Sequence, residues 1–234
     1  GNLSNGKYYN NNIGILVGDE KVTNSAAVPP APTKGAAVIT KIERTNFDVK
    51  QTDANLENNT DRTGTGIYMY NGTVTLGEST TMTGDSNDVF VTIRNRDYTN
   101  TLTMDGNTGS GNSTGIVGTG ANNIGINIQN GDNIATFGKK VTITQGANNK
   151  GWNISLTGGD NNTGILNNAF ADEFVLSNKV TTTPVASGDL GVIRISGDKG
   201  VGFANLGYVN KSDDLRLDYV SMNGANSALM AFIN

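Results

Sequence analysis

The sequence predicts an all-β chain wound as a parallel, right-handed β-helix (a solenoid) with an irregular N-terminal segment; an antiparallel β-sandwich is the alternative. Three observations lead there. First, a short phrase recurs, Gly followed by Ile or Val and then alternating apolar and small polar residues. It reads Ile13-Gly14-Ile15-Leu16-Val17-Gly18, Thr65-Gly66-Ile67-Tyr68-Met69-Tyr70, Ile124-Gly125-Ile126-Asn127-Ile128-Gln129 and Thr163-Gly164-Ile165-Leu166-Asn167-Asn168, with a looser form from Leu190 to Gly197. Second, Asn, Gly and Asp separate the copies, the residues that let a chain turn a corner. Third, only 35% of the 234 residues are hydrophobic while 31 are Gly, which suits a thin core built coil by coil. A strand unit restated along one chain is how stacked repeats are written.

Taken in order, residues 1–60 are expected to form an irregular cap or insertion, and 61–234 the solenoid. The first segment opens with an Asn-rich turn region and one strand candidate, Ile13 to Val17. Val28-Pro29-Pro30-Ala31-Pro32 follows, holding three of the four prolines; proline donates nothing to a ladder, so this is a connector. Val38 to Val49 is open to helix or strand, with strand preferred. Further strands are expected over 66–70, 73–76, 89–93, 101–104, 124–128, 141–144, 152–156, 174–176, 192–195 and 215–220. Alternation points Val74, Leu76, Val141 and Ile143 inward, with Thr73, Thr75, Thr142 and Thr144 outward. The strong phrases begin at Gly14, Gly66, Gly115 and Gly164, intervals of 52, 49 and 49 residues, each room for two coils. Asn71-Gly72 is also a hairpin signal, so Thr65 to Leu76 supports the sandwich alternative.

Composition narrows function. Net charge is −4 with Lys and Arg scattered singly, so no footprint for nucleic acid or an anionic membrane is present. No apolar run is long enough to span a bilayer, and no basic-then-apolar leader opens the sequence, so membrane insertion by this segment is not expected. Charged residues are only 16% and apolar positions alternate, which weighs against disorder. Cysteine and histidine are both absent, which removes thiol chemistry, disulfides and Ser-His or Cys-His catalysis. No cofactor, metal or catalytic residue is expected.

Tyr68, Tyr70 and Tyr98 are the candidate ligand-binding residues. Tyr68 and Tyr70 alternate with Ile67 and Met69, so both rings should face outward, where paired aromatics stack on sugars or anchor an interface. Tyr8, Tyr9 and Trp152 are further aromatics, with burial the better reading for Trp152. Thr-x-Thr pairs at 73/75, 101/103, 142/144 and 181/183 would form an ice-binding array only if stacked in rows, and the unequal intervals are expected to break those rows. Asp85 and Asp88, Asp172 and Glu173, and Asp213 and Asp214 read as surface acids. The first pair lacks the spacing of a calcium loop. A polysaccharide-cleaving β-helix would set two acids about 5–10 Å apart on neighbouring coils, and no stacked pair is evident. Gly109-Ser110-Gly111-Asn112 lacks the Lys of a phosphate loop.

Asn162-Thr163-Gly164-Ile165-Leu166-Asn167, Thr65 to Thr75 and Asn123 to Gly131 resemble the passenger domains of type V autotransporter adhesins, those of fusobacterial type in particular. The resemblance covers about residues 61–210 and rests on degenerate repeats. It implies an extracellular, bacterial cell-surface β-helix that mediates attachment to a host or microbial surface glycan or protein through side loops. A β-barrel translocator is not among these residues, and the proline-bearing stretch lies outside the repeat. A polysaccharide-acting β-helix enzyme or phage receptor-binding protein is the second expectation. A self-assembling structural subunit with end-to-end association is the third, with Ser227 to Ile233 as the suspected contact.

Overall fold

In a computed structural model, residues 3–4, 7–8, 13–18, 38–49, 65–70, 72–95, 99–104, 115–130, 138–145, 151–177, 190–216 and 220–232 are described, and they are strands and turns with no helix. After a two-stranded antiparallel ribbon, β1 (Leu3–Ser4) with β2 (Lys7–Tyr8), the chain builds three parallel sheets. Sheet I holds β3 (Ile13–Val17), β6 (Thr65–Met69), β9 (Val89–Asn95), β12 (Ile124–Asn130), β15 (Thr163–Asn168), β18 (Val201–Asn205) and β21 (Ala228–Phe232). Sheet II holds β4 (Val38–Ile42), β7 (Gly72–Leu76), β10 (Asn100–Met104), β13 (Gly138–Gln145), β16 (Phe170–Ser177) and β19 (Tyr208–Arg216). Sheet III holds β5 (Asn46–Asp48), β8 (Thr81–Gly84), β11 (Gly115–Gly118), β14 (Gly151–Leu156), β17 (Leu190–Ser196) and β20 (Val220–Asn223).

Each strand leads to the next sheet, and every third strand lies parallel beside its predecessor. This is the parallel β-helix, and the sandwich alternative falls. The supposed Thr65–Leu76 hairpin is a corner instead: β6 pairs with β3 and β9, and β7 with β4 and β10. Stacking starts ahead of residue 61, because β3, β4 and β5 pair with β6, β7 and β8 as a first turn. The strand expected over 215–220 divides into the end of β19 and the start of β20, with residues 217–219 outside the description.

Alternation sets the core. Val74, Leu76, Leu102, Met104, Val141 and Ile143 are buried inside sheet II, while Thr73, Thr75, Thr101, Thr103 and Thr142 alternate with them and are half-buried. The Gly of the recurring phrase has a packing reason. Residues flanking it pair between coils while it does not, as with Ile124↔Thr163 and Ile126↔Ile165 around Gly125 and Gly164. A Cβ on Gly125 would lie 2.5 Å from the Gly164 carbonyl oxygen and 2.8 Å from Ile154 Cγ2. The position therefore points into the core at a bend where neighbouring backbones nearly touch. Phe90 and, on the last strand, Leu229 replace glycine on this column, and Phe90 is fully buried. Its ring fits because sheet III is glycine there: added Cβ atoms on Gly84 and Gly118 would approach Phe90 Cζ to 2.7 and 3.3 Å.

The corner from sheet III to sheet I is cross-linked coil to coil. Asn87, Asn122, Asn161, Lys199 and Asn226 all take left-handed backbone conformations, with φ between 55° and 61°. Asn is among the few side chains that adopt this region readily. The next residue inward forms a second ladder. Asp88 N–H donates to Asn123 Oδ1 and Asn123 N–H to Asn162 Oδ1, both at 2.9 Å. Asn123 Nδ2 donates to the carbonyls of Asp85 and Gly120, and Asn162 Nδ2 to those of Gly120 and Gly159. Ser227 occupies the equivalent place below Gly200, accepting its N–H at 3.1 Å.

Candidate binding face

Ile67 and Met69 are fully buried, which anchors β6 and turns the residues between and after them outward. Tyr68 and the adjoining Tyr70 are half-buried, with ring centroids 4.8 Å apart and planes tilted by 39°. Such a contact contributes about 0.5–1.5 kcal/mol beyond area burial. Met69 pairs with Ile93, so the next residue on β9, Arg94, comes beside Tyr70, its Cζ 5.5 Å from the ring centroid. This is within cation–π range. On the other side Leu16 pairs with Tyr68 and stays 56% exposed. The outer face of sheet I thus begins as an aromatic, apolar and cationic patch.

Further along the same face the side chains become small or amide-bearing, Leu166 excepted. The column through Tyr68 continues as Thr92, Asn127, Leu166 and Ala204, and Arg94 continues as Gln129 and Asn168. Thr92 Oγ1 donates to Thr65 Oγ1 at 3.1 Å, and Thr65 Oγ1 donates to the Ile67 carbonyl at 3.2 Å. Asn127 lies between the fully buried Ile126 and Ile128, so it faces outward. It is only 9% exposed, and its Oδ1 has no hydrogen-bond partner among the described residues.

The fold brings Tyr68 and Tyr70 together as expected from alternation. Tyr98 and Tyr9 lie outside the described residues, and only the strand placement of Tyr8 and Trp152 is described. Arg94 and Leu16 were not singled out from sequence, since only the pairing register places them beside the tyrosines. The sequence segments between strands that were expected to act as side loops, among them 105–114 and 178–189, also lie outside the description.

Two other expectations change. The Thr rows are not broken by unequal intervals: Thr73, Thr101 and Thr142 pair in one row, and Thr75, Thr103 and Thr144 in the next. The extra residues fall in corners, so strand register survives. Thr181 and Thr183 lie outside the description. Stacked carboxylates do occur. Asp160 and Asp198 occupy the same place on successive turns, where Asp198 N–H donates to Asp160 Oδ1 at 2.9 Å and Ala225 N–H to Asp198 Oδ1 at 2.8 Å. Both sit exposed on a corner with one oxygen committed to the next turn's backbone, an arrangement that holds coils together. Asp88, expected at the surface, is buried, and its carboxyl serves its own turn, Oδ2 accepting the Asp85 N–H at 2.8 Å. Among the described residues no three His, Cys, Asp or Glu side chains group to hold a metal ion.

No protein-family model, curated protein or solved structure matches the chain.

Proposed function

We propose that this chain is a non-enzymatic attachment segment of an extracellular bacterial surface protein, a stiff β-helical stalk that binds a host or microbial surface ligand. The observation that carries the reading is the outward Tyr68–Tyr70 pair, with Arg94 against one ring and Leu16 beside the other. Aromatic rings and Arg are the side chains that most often anchor binding surfaces, the rings because they bury large area at low entropic cost and Arg because its planar guanidinium both stacks and donates. Here they stand on strands whose inward residues are fully buried, so the patch is held in place before any ligand arrives. The amide-bearing Gln129 and Asn168 further along the face offer donors and acceptors for a polar ligand.

A glycan-array and cell-binding screen of the chain tests this, run beside the double variant Tyr68→Ala/Tyr70→Ala. Binding by the parent that falls at least tenfold in the variant supports the patch. Each lost aromatic anchor removes about 1–2 kcal/mol, and 1.4 kcal/mol is a factor of ten. Binding that is equal in both removes the patch from the proposal. No binding to any glycan or cell surface overturns the attachment function itself.

A further inference from the structure

One row on the outer face of sheet I keeps its register over successive turns. Met69 pairs with Ile93, Arg94 with Gln129 and Gln129 with Asn168, so Tyr70, Arg94, Gln129 and Asn168 stand one above another. The next turn continues the row as Leu206, which follows the Asn167↔Asn205 pair and is 45% exposed. Tyr70, Arg94 and Gln129 are half-buried and Asn168 is exposed, while the residue before each, Met69, Ile93, Ile128 and Asn167, is fully buried. The row is therefore held from beneath and offers its side chains at the surface.

Charge singles out one member of the row. Arg94 is the only charged residue in the seven strands of sheet I, in a chain with 21 Asp and Glu. No carboxylate on these strands repels an anion brought beside it. The guanidinium lies against Tyr70, its Cζ 5.5 Å from the ring centroid. Stacking uses the face of the guanidinium and directs its N–H donors along the edge, the geometry that takes a carboxylate.

We infer that the ligand of this face is a linear acidic polysaccharide, one whose repeat carries a uronate carboxylate, bound parallel to the coil axis with Arg94 reading the charge. The inference rests on the attachment reading above and narrows it to one chemical class. Spacing gives the direction. Neighbouring turns lie about 4.8 Å apart, close to the advance of one sugar in an extended 1,4-linked chain. A polysaccharide laid along the axis brings successive sugars to successive turns. One ring face meets Tyr70, with Tyr68 beside it; an acid group meets Arg94; hydroxyls meet the amides of Gln129 and Asn168. A compact ligand would reach only part of the row.

Oligogalacturonates of increasing length, and the same oligomers fully methyl-esterified, are titrated against the chain by calorimetry. The ester keeps the rings and linkage and removes the charge. The acid form should bind more tightly with length up to about four units, the span of the row. The ester should bind about tenfold more weakly or worse, and Arg94→Gln should make the two equal, with unchanged β-sheet circular dichroism showing that the variant folds. Equal binding of acid and ester by the parent, or a preference for the acid that survives Arg94→Gln, would overturn the inference and leave the tyrosines as a site for neutral glycans. Affinity that stops rising at the disaccharide would overturn the axial alignment. Binding of neither form, beside positive results in the glycan and cell screen, would overturn the inference alone; no binding in either experiment removes the attachment reading with it.

Discussion

Two corners of the same coil obey different rules. From the second turn onward, the corner from sheet III to sheet I spans four to six residues each time: 85–88, 119–123, 157–162, 197–200 and 224–227. The corner from sheet II to sheet III spans three residues at 43–45, ten at 105–114 and twelve at 178–189. The first is tied to its neighbours by backbone pairs such as Asn87 N–H to the Ala121 carbonyl and Asn122 N–H to the Asp160 carbonyl, beneath the buried Asn123–Asn162 ladder. An added residue there would displace partners on two coils at once. The first corner keeps a near-constant length while carrying these bonds from turn to turn. The second is also bonded between coils where it is described, Gly77 N–H donating to the Ile42 carbonyl and Arg44 N–H to the Glu78 carbonyl, and its longer copies at 105–114 and 178–189 lie outside the described residues.

The strongest way to break this contrast is to lengthen both corners equally. A Gly-Ser insertion between Ala121 and Asn122 is expected to cost at least about 3 kcal/mol, since several hydrogen bonds of about 0.5–1.5 kcal/mol each lose their register and some buried groups lose partners. The same pair placed between Ser110 and Gly111 should cost under about 0.6 kcal/mol, the scale set by loop-closure entropy. Urea unfolding midpoints of the two variants compare them directly. Equal destabilisation would end the distinction between a pinned and a permissive corner.

Next in size is Asn123→Ala. It deprives the Asp88 N–H of its acceptor and the Asp85 and Gly120 carbonyls of a donor, all within a ladder whose side chain is fully buried. About 3 kcal/mol should be lost, because an unsatisfied buried group costs about 1–3 kcal/mol. Asn123→Asp keeps the Oδ1 acceptor but turns two donor contacts into carboxylate facing carbonyl, so it should be no milder. Thermal unfolding with both variants would decide; a stable Asn123→Ala chain would mean that the ladder decorates the corner without holding it.

Much of this architecture was legible in the residues. The Gly-Ile phrase and period-2 alternation place Ile67 and Met69 inside and the tyrosines outside, because face assignment is local to a strand. Val201–Asn205 and Ala228–Phe232 were not among the expected strands, and two shorter ones were passed over for a physical reason. Thr81–Gly84 is short and glycine-bearing, and Gly115–Gly118, noted only as the start of a repeat phrase, is too; Phe90 fills the space their glycines leave. The Asn-Asn pairs at 122–123 and 161–162 drew no separate reading from the sequence, yet each pair divides its work between an outer left-handed residue and an inner ladder residue. Register between distant turns lay beyond local pattern, and with it the meeting of Arg94 with Tyr70, of Leu16 with Tyr68, and of the Thr rows. Corner lengths decide such meetings, and sequence intervals report the sum of three corners without dividing it among them.

The smallest expected effect separates backbone from side chain at the outer ladder. Asn122 has φ 58°, donates its amide to Asn87 Oδ1 at 3.1 Å and accepts from Asn161 Nδ2 at 3.2 Å, all on an exposed corner. If left-handed backbone is what the position requires, Asn122→Ala should cost about 1 kcal/mol, because alanine lacks the short polar side chain that eases asparagine into this region, and Asn122→Gly only a few tenths. If the exposed amide ladder matters more, both substitutions remove it and should cost the same. Lys199 already argues for the first outcome: it fills the same column with φ 56° and has no amide to offer the ladder, yet its N–H still reaches the Ala225 carbonyl at 2.8 Å. The corner therefore needs a residue that tolerates the turn, and the stacked amides are a consequence of how often asparagine meets that need. Denaturant midpoints for the Ala and Gly variants, separated in the order given, would place the corner's stability in its backbone.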